Sequence, residues 1–342
     1  MRKRMIWECI SVVLLLNIFF IPFASAQQPI RWKAQSLFGA VELPYKAFSD
    51  FCDRVKVATN GRLEIKPYPA GAIVPTYEKL DALKNNIIQG MHTCASNFMA
   101  KDPALGIITD LNYGYQEPWE FEAWWLYRGG LDLLNELYKP FGVTAVGITF
   151  WGMESFPSKY PIRGVKDYQG RKFRAPQTMT ADILAKVGGA VVILPGGEVF
   201  SALDKGVVDG ADWGTPSMNQ RMGFDKVAKY TIYPEYRSLP AAEFAVNTQE
   251  WEKLPADIKQ ILKSAVREFS QDMLARVAID DLRALREMKT TGVTPISWEL
   301  SEVEKMRRVA QQVWEEWAKK SPNCRKVVDS NVQWLKELGR IK

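Results

Sequence analysis

Apolar and polar side chains follow two patterns along the chain, one with the period of a strand and one with the period of a helix, and segments of the two kinds alternate. Residues 62–68 alternate polar and apolar positions, the pattern of a half-buried strand, before a turn at residues 69–71. Residues 43–57 repeat their apolar positions at helical spacing after an early proline, and Asn60-Gly61 ends that helix. Strands that alternate with helices predict parallel or mixed sheets flanked by helices, an α/β fold.

The same patterns predict the remaining elements. We expect further strands over residues 30–35, 90–95, 144–150, 172–174, 190–194, 211–213 and 244–247. We expect further helices over residues 78–84, 119–129 and 179–187 and through most of residues 300–342. Leu254-Pro255-Ala256-Asp257 opens a helical stretch that runs without a strong breaker to about Thr291, which predicts one helix of about 35 residues, well beyond the usual three or four turns. We interpret this long helix as a strut that crosses two lobes.

The N-terminus has the three-part pattern of an exported protein. Residues 2–4 are basic, an apolar run follows as far as Phe20, and Ala24-Ser25-Ala26 matches a small-x-small cleavage site. Only about fifteen apolar residues precede Pro22, whereas a membrane-spanning helix needs about twenty. We therefore predict a removed signal peptide over residues 1–26 rather than an uncleaved membrane anchor, and a soluble mature chain in the periplasm.

The rest of the chain is longer than one hydrophobic core usually organises, so two lobes are expected. We assign residues 27–150 with residues 240–255 to lobe I and residues 151–239 to lobe II. Residues 256–342 would form the long spanning helix and the C-terminal helices. The sequence has neither tandem repeats nor a low-complexity linker, which favours interleaved lobes.

The charge of the chain limits its partners. The formal net charge is +6, and loss of the signal peptide would remove three basic residues and one acidic residue. The remaining positive field favours anionic ligands. No block of like charge is dense enough to predict nucleic-acid binding.

The histidine and cysteine content narrows the chemistry. His92 is the only histidine, and nucleophilic triads and histidine metal sites usually need that residue type, so the sequence argues against enzymes of those kinds. We expect His92 to be a packed or edge residue of a strand. Cys52, Cys94 and Cys324 would remain after export, an odd set without a CxxC spacing or a neighbouring histidine. They predict neither a disulfide framework nor a zinc site.

Several short motifs follow one another in a fixed order, and the order is more specific than any one of them. They are YPAG at residues 68–71, GGLDLLNE at 129–136, GRKFRAP at 170–176, VGGA at 187–190, LPGGEVFSAL at 194–203 and GVVDGADW at 206–213. With this order and spacing, the chain resembles the extracytoplasmic solute-binding subunit of tripartite ATP-independent periplasmic (TRAP) transporters, the DctP-type family, and in particular its 2-oxo acid-binding subgroup. The resemblance covers nearly the whole mature chain.

The resemblance implies a two-lobe periplasmic binding protein rather than an enzyme. Such a protein captures a small organic acid anion, here a 2-oxo acid or another monocarboxylate, and delivers it to the permease subunits in the membrane. Two alternatives stay open: a sensor subunit that presents the bound acid to a membrane receptor, and a periplasmic enzyme that acts on a carboxylate. The sequence lacks the dinucleotide-binding and P-loop fingerprints of cofactor enzymes. We expect a monomer, with dimerisation through the long helix as the alternative.

Arg174 is the first candidate for ligand binding. It lies at the end of an alternating strand, where a side chain can project into a cleft, and Pro176 stops that strand. A guanidinium is a planar fork that pairs with a carboxylate through two parallel hydrogen bonds. The alternative is a surface arginine in an ion pair. The resemblance favours the ligand site, because the matching arginine of the family binds the ligand carboxylate.

The resemblance also implies a cation site. Asp212 and Trp213 match an acidic residue and a tryptophan in the ligand pocket of the 2-oxo acid subgroup, and Glu243 matches a further polar pocket position. Carboxylate oxygens bind Na⁺ or Ca²⁺, so Asp212, Trp213 and Glu243 are the expected ligands of an ion that bridges the substrate. The alternative is that no metal binds and that Asp212 accepts hydrogen bonds from the backbone or from Arg174. No other cofactor is expected.

The chain departs from that subgroup just before the second lobe. A position that often carries glutamine reads Phe150-Trp151-Gly152-Met153-Glu154 here, so either Trp151 replaces the glutamine or Glu154 serves nearby. An aromatic pocket favours a monocarboxylate with an apolar tail; the alternative is that the rings belong to the core. The expected substrate-binding residues are Arg174, Trp213, Asp212, Trp151, Glu154, Asn97, Tyr113 and Phe38.

Overall fold

The computed structural model of the protein describes residues 28–194 and 196–342. The predicted signal peptide, residues 1–26, lies outside the described residues. Within the described part of the chain, no helix combines the length and the apolar character that a membrane crossing needs. Cys52, Cys94 and Cys324 are free thiols.

Two mixed sheets organise the described residues. The strands are β1 (Ile30–Gln35), β2 (Leu63–Tyr68), β3 (Gly90–Thr93), β4 (Val143–Phe150), β5 (Phe156–Ser158), β6 (Lys172–Ala175), β7 (Ala190–Ile193), β8 (Gly210–Ala211), β9 (Tyr230–Ile232), β10 (Ala241–Asn247) and β11 (Thr294–Ile296). The first sheet has the order β2-β1-β3-β10-β4, and the second has the order β11-β9-β5-β8-β6-β7. We call the two halves built on these sheets the first lobe and the second lobe. The predicted α/β architecture is confirmed.

The position of β10 shows how the chain returns to the first lobe. β10 runs antiparallel between β3 and β4, and Phe244 pairs with His92 on one side and with Gly147 on the other. β1 is parallel to both β2 and β3, as expected of strands that are joined by helices. The chain therefore leaves the first sheet after β4, builds most of the second sheet, and comes back through β10.

Helices connect and cover the strands. They are α1 (Leu43–Ala58), α2 (Lys79–Lys84), α3 (Leu105–Ile108), α4 (Pro118–Tyr127), α5 (Gly130–Tyr138), α6 (Met179–Lys186), α7 (Val199–Asp204), α8 (Pro216–Arg221), α9 (Phe224–Val227), α10 (Thr248–Glu252), α11 (Ala256–Thr291), α12 (Leu300–Ala318) and α13 (Pro322–Glu337). Proline lies in the first turn of α1, α4, α8 and α13, where its missing N–H is not needed.

α11 is the long strut that the unbroken helical stretch predicts. It packs on α1 and β4 of the first lobe and on α8, α9 and β11 of the second. Gly147 allows the close approach of β4, because a Cβ there would lie 2.9 Å from Cγ1 of Val266. Toward the other end, the hydroxyl of Thr215 and the N–H of Ser217 each donate to Oδ1 of Asp281 at 2.8 Å. One helix thus ties both lobes together.

The two C-terminal helices also cross between the lobes. α12 packs on α6 of the second lobe, and α13 packs on α3 and α5 of the first. The indole N–H of Trp314 donates to the main-chain oxygen of Asn112 at 3.0 Å, and that of Trp317 donates to Oδ2 of Asp182 at 2.7 Å. These tryptophans anchor the C-terminal tail to the rest of the fold.

Three short strands are not predicted by the sequence patterns. β5, β9 and β11 have three residues each, which is too short for a period of two to be recognised. β11 lies in a region where only helices are expected, yet it adds an edge strand to the second sheet beside β9. Its proline at position 295 is compatible with an edge position.

Candidate functional site

The candidate site lies where the central strands of the second sheet face the first lobe. β6 and β8 run parallel, Arg174 pairs with Ala211, and Asp212 and Trp213 follow directly after β8. In α/β proteins, ligands commonly bind beyond the carboxyl ends of such strands. The motifs at residues 170–176 and 206–213 are therefore brought together, as neighbouring strands of one sheet.

Arg174 is buried and fixed by main-chain oxygens. Its side chain leaves only 7% of the residue exposed. Nε and Nη2 donate to the main-chain oxygen of Leu194 at 3.0 and 2.8 Å, and Nη1 donates to the main-chain oxygen of Asp212. Burial lowers the pKa of Arg174, and the carboxylates of Asp212 and Glu154 oppose that effect. Among the described residues Arg174 forms no ion pair, so the alternative of a surface ion pair is wrong.

Arg237 is the centre of a buried charge cluster beside Arg174. Its Nη2 donates to Oδ1 of Asp212 at 2.7 Å and to Oε2 of Glu154 at 3.1 Å, and its Nε donates to Oε1 of Glu235 at 2.8 Å. The side chain of Arg237 is 2% exposed. Burial alone would lower the pKa of Arg237, but the three carboxylates outweigh burial and hold that pKa well above its ordinary value.

A short segment of the first lobe, residues 110–113, contacts the residues around this charge cluster. Oδ2 of Asp110 accepts hydrogen bonds from Ser238 Oγ and from Asn112 Nδ2, both at 2.7 Å. Oδ1 of Asn112 accepts a hydrogen bond from Thr180 Oγ1 at 3.0 Å, which connects the segment to α6 of the second lobe. These bonds join the two lobes at the edge of the site.

Tyr113 lies in the same segment in an unusual backbone conformation. Its φ of 62° lies in the left-handed region that non-glycine residues seldom adopt. Its N–H donates to the main-chain oxygen of Arg237 at 2.8 Å, and its own main-chain oxygen accepts from Nε of Arg307 at 2.9 Å. The strained conformation is held by partners on both sides, a situation that recurs at functional sites.

Acidic side chains outnumber basic ones in this region. The acids that surround Arg174 and Arg237 are Asp110, Glu154, Asp212 and Glu235. Desolvation raises the pKa of Asp110 and of Glu235 to about 7 each, against the opposing attraction of Arg237. Burial and then the charge of Asp212 raise the pKa of Glu154 well above its ordinary value.

Phe38 and Trp151 belong to one apolar cluster, against which Trp213 packs. Phe38 and Trp151 are 4% and 5% exposed and meet edge to face with their ring centroids 5.6 Å apart. Trp213 is half-buried, packs against the same cluster, and donates its indole N–H to the main-chain oxygen of Gly196 at 3.1 Å. The indole N–H of Trp151 is buried and has no hydrogen-bond partner in the described part of the chain.

Two expected site residues have their described contacts elsewhere. Asn97 lies in a short turn after β3, and its Nδ2 donates to Thr93 Oγ1 at 3.3 Å. Glu243 lies inside the first lobe on β10, where its carboxylate accepts from the hydroxyl of Tyr138 at 2.6 Å and from the N–H of Ala95 at 3.2 Å. Burial raises the pKa of Glu243 to about 8. The structure does not bring Glu243 into contact with Asp212.

The residues present do not fit a bridging metal ion. Asp212, which directly precedes Trp213, and Glu154 both accept from the same nitrogen of Arg237. A permanently charged guanidinium at hydrogen-bond distance from both carboxylates repels a second cation there. Among residues 28–194 and 196–342, no group of three or more His, Cys, Asp or Glu side chains has the arrangement of a metal site.

Sequence patterns miss Arg237, Glu235 and Asp110. Arg237 and Glu235 lie in an irregular stretch between β9 and β10, and Asp110 follows the end of α3. Hydrophobic periodicity carries no information in such segments. One weak sequence signal for these residues exists. Glu235 and Arg237 are charged and come just before the apolar strand β10, where the chain returns from the second lobe to the first.

The chain matches a known protein family over most of its length. The family described as bacterial extracellular solute-binding protein, family 7, matches residues 37–321. A monocarboxylate 2-oxoacid-binding periplasmic protein from Nostoc sp. is 28% identical over 309 residues, which cover 89% of this chain and 83% of the Nostoc protein. The resemblance that the motifs indicate is thus confirmed.

Two solved structures share the fold. A TRAP periplasmic solute-binding protein from Rhodobacter sphaeroides, in an apo open form, has a TM-score of 0.79 and 34% identity, covering 90% of this chain and 98% of that chain. A TRAP solute-binding protein from Bordetella bronchiseptica has a TM-score of 0.78 and 26% identity, covering 91% and 93%; it is a dimer of mixed occupancy with copurified calcium and picolinate in one site. This chain, with its two lobes joined by α11, belongs to the bacterial extracellular solute-binding proteins of family 7, the periplasmic binding proteins of TRAP transporters.

Proposed function

We propose that the protein captures an organic acid anion between its two lobes and delivers it to the membrane permease of a TRAP transporter. The observation that carries the proposal is the fixed guanidinium of Arg174. Three of its five N–H groups are held by main-chain oxygens, which leaves two for a ligand. Because the group is already oriented and desolvated, it can accept a carboxylate without rearrangement.

The ligand that we favour is a 2-oxo monocarboxylate with an apolar tail. Phe38 and Trp151 belong to the apolar cluster that packs against Trp213, which directly follows Asp212, and the unused indole N–H of Trp151 offers a donor for an oxo oxygen. The Nostoc relative is a monocarboxylate 2-oxoacid-binding protein, and the Bordetella relative holds picolinate, an aromatic monocarboxylate. Both relatives support an acid with one carboxylate.

Capture would occur by closure of the lobes over the anion. We propose that residues 27–150 with residues 240–255 move as one lobe and residues 151–239 as the other, with α11 crossing both. Closure removes water from around the bound anion, and the lower dielectric strengthens the attraction between its carboxylate and Arg174. A ligand without a carboxylate would leave a buried donor unpaired, which costs about 1–3 kcal/mol. The open apo form of the Rhodobacter relative supports an open state for the ligand-free protein.

Export and partner follow from the same proposal. The N-terminal pattern of residues 1–26 supports delivery to the periplasm, and the family supports a membrane permease as the partner. We propose that the protein works as a monomer.

We propose a binding role rather than catalysis. The single histidine is unsuited to acid–base work, because His92 is fully buried in β3 and burial lowers its pKa to about 3. Its Nε2 lies 2.9 Å from the hydroxyl of Thr149, inside the first lobe. His92 is thus the packed strand residue that the sequence predicts, and it remains neutral at physiological pH.

The ligand class can be tested by thermal stability. Purified protein is heated with pyruvate, 4-methyl-2-oxopentanoate and phenylpyruvate, and each acid is compared with its uncharged amide. Ligand excess should stabilise the folded state by a few kcal/mol with an acid and leave it unchanged with the amide. Equal melting temperatures with and without every acid would contradict the proposed function.

A further inference from the structure

We propose that Arg237 takes the place of a bridging cation, so that this protein binds its organic acid without Na⁺ or Ca²⁺. The inference rests on the proposed function, since it concerns how the same site holds its anion. Anion binding without a metal ion would distinguish this chain from the Bordetella relative, whose occupied site contains calcium together with picolinate.

The first argument is positional. Nη2 of Arg237 lies 2.7 Å from Oδ1 of Asp212 and 3.1 Å from Oε2 of Glu154. An ion that bridged these two carboxylates would have to occupy the space between them, which the guanidinium nitrogen already fills. Ca²⁺ needs six to eight oxygen ligands at about 2.3–2.6 Å, and one oxygen of each carboxylate is already taken by Arg237.

The second argument is that Arg237 is permanently fixed and permanently charged. Its Nε is bound to Glu235 at 2.8 Å, its main-chain oxygen accepts from Tyr113 at 2.8 Å, and its side chain is 2% exposed. An arginine side chain does not lose its proton in a protein. The site therefore carries a resident cation that neither dissociates nor depends on the ions of the medium.

The third argument concerns the charge that an incoming anion meets. Without a cation, the carboxylate of Asp212 would repel an anion bound at Arg174, because the main-chain oxygen of Asp212 is itself a partner of Arg174. Arg237 compensates that charge directly. A metal ion and a guanidinium can each compensate the negative charge of Asp212, and this chain contains the guanidinium.

Calorimetry in ion-defined buffers tests the inference. Pyruvate, 4-methyl-2-oxopentanoate and phenylpyruvate are prepared as choline salts and titrated into wild-type protein in choline buffer with EDTA. The titrations are repeated with added Na⁺ or added Ca²⁺. We expect dissociation constants that agree within about threefold across the three buffers. Tightening by about tenfold or more with either ion would overturn the inference while leaving the proposed function intact. Failure of every acid to bind in any buffer would overturn the proposed function and this inference with it.

A substitution at Arg237 provides a readout that needs no organic acid. Arg237→Gln removes the charge and releases Asp212 and Glu154, so we expect millimolar Ca²⁺ alone to raise the melting temperature of this variant. Wild-type protein and the charge-conserving Arg237→Lys variant should show no such rise. A Ca²⁺-dependent rise in the wild type would overturn the inference even if Arg237→Gln does not fold.

Discussion

Oδ1 of Asp212 lies 2.7 Å from Nη2 of Arg237, and both residues are almost completely buried. The Asp212 backbone oxygen accepts from Arg174, so one aspartate connects two guanidinium groups through different atoms. The side chain of Asp212 therefore bonds to Arg237 and not to Arg174. This division of roles leaves Arg174 without a carboxylate partner among the described residues and compensates the buried acidic charge through Arg237.

Loss of Arg237 should destabilise the fold. Arg237→Met leaves the carboxylates of Asp212, Glu154 and Glu235 buried without their counter-charge, and breaking such a network costs about 3–5 kcal/mol. The loss should be smaller at pH 5 than at pH 7.5, because protonation removes the unpaired charges. Urea unfolding followed by circular dichroism measures both values.

Arg307 provides the matched control for that substitution. It is 7% exposed, against 2% for Arg237, and it donates to the main-chain oxygen of Tyr113 without an ion pair among the described residues. Arg307→Met should cost about 1–3 kcal/mol and show little change with pH. If the two variants lose the same free energy of unfolding at both pH values, Arg237 does not stabilise the fold by neutralising the buried carboxylates.

Glu243 should make stability depend on pH. Its folded pKa of about 8 lies above its unfolded value near 4.5, so the folded state binds the extra proton between these values and stability falls as pH rises through this window. Tyr138, Lys79 and Cys94 face the carboxylate. Lys79, whose pKa burial lowers to about 7, stays mainly protonated below pH 6.5.

Glu243→Gln should remove that dependence. One proton corresponds to at most about 1.4 kcal/mol per pH unit, so the free energy of unfolding should fall less steeply in the variant than in the wild type between pH 5 and 6.5. Glu136→Gln, at an exposed residue paired with Lys326, should follow the wild-type profile. Parallel profiles for wild type and Glu243→Gln would show that the buried carboxyl does not titrate in this range.

The contact between α11 and β4 should tolerate no added methyl group. A Cβ at Gly147 would meet Val266 Cγ1 at 2.9 Å, so Gly147→Ala forces the strut away from the sheet and should cost about 1–3 kcal/mol. Gly197→Ala is the control, because nothing lies within 4 Å of its added Cβ. Thermal unfolding of the two variants measures the difference, and equal melting temperatures would contradict the close packing.

The fold was accessible from the sequence where periodic patterns were long, as the agreement over Ile30–Gln35, Leu43–Ala58 and Ala256–Thr291 shows. Arg174 was accessible for a related reason, since it ends an alternating strand inside a recognisable motif. Arg237 was not, because its partners at positions 154, 212 and 235 are distant in sequence and lie in irregular segments. Buried ion networks leave no local period, so only the folded chain shows which charges meet.

The cation site illustrates the same limit. The resemblance to the 2-oxo acid subgroup implies an ion at Asp212 and Trp213, with a further carboxylate from Glu243. In the fold, Asp212 is bound by Arg237, whereas Glu243 is bound by Tyr138 on another strand. The motif at residues 206–213 contains Asp212, but it carries no information on Arg237, which lies between the carboxylates of Asp212 and Glu154.

The most direct test of the account is calorimetric titration of 2-oxo acids into Arg174→Gln and Arg171→Gln. Arg171 precedes the same strand, but its Nε donates to the main-chain oxygen of Asp167 and its guanidinium stacks on Tyr160. We expect wild type and Arg171→Gln to bind with equal affinity and Arg174→Gln to lose at least about 100-fold, at a temperature where circular dichroism shows all three to be folded. Unchanged affinity in Arg174→Gln would contradict the assignment of Arg174 as the anion-binding group.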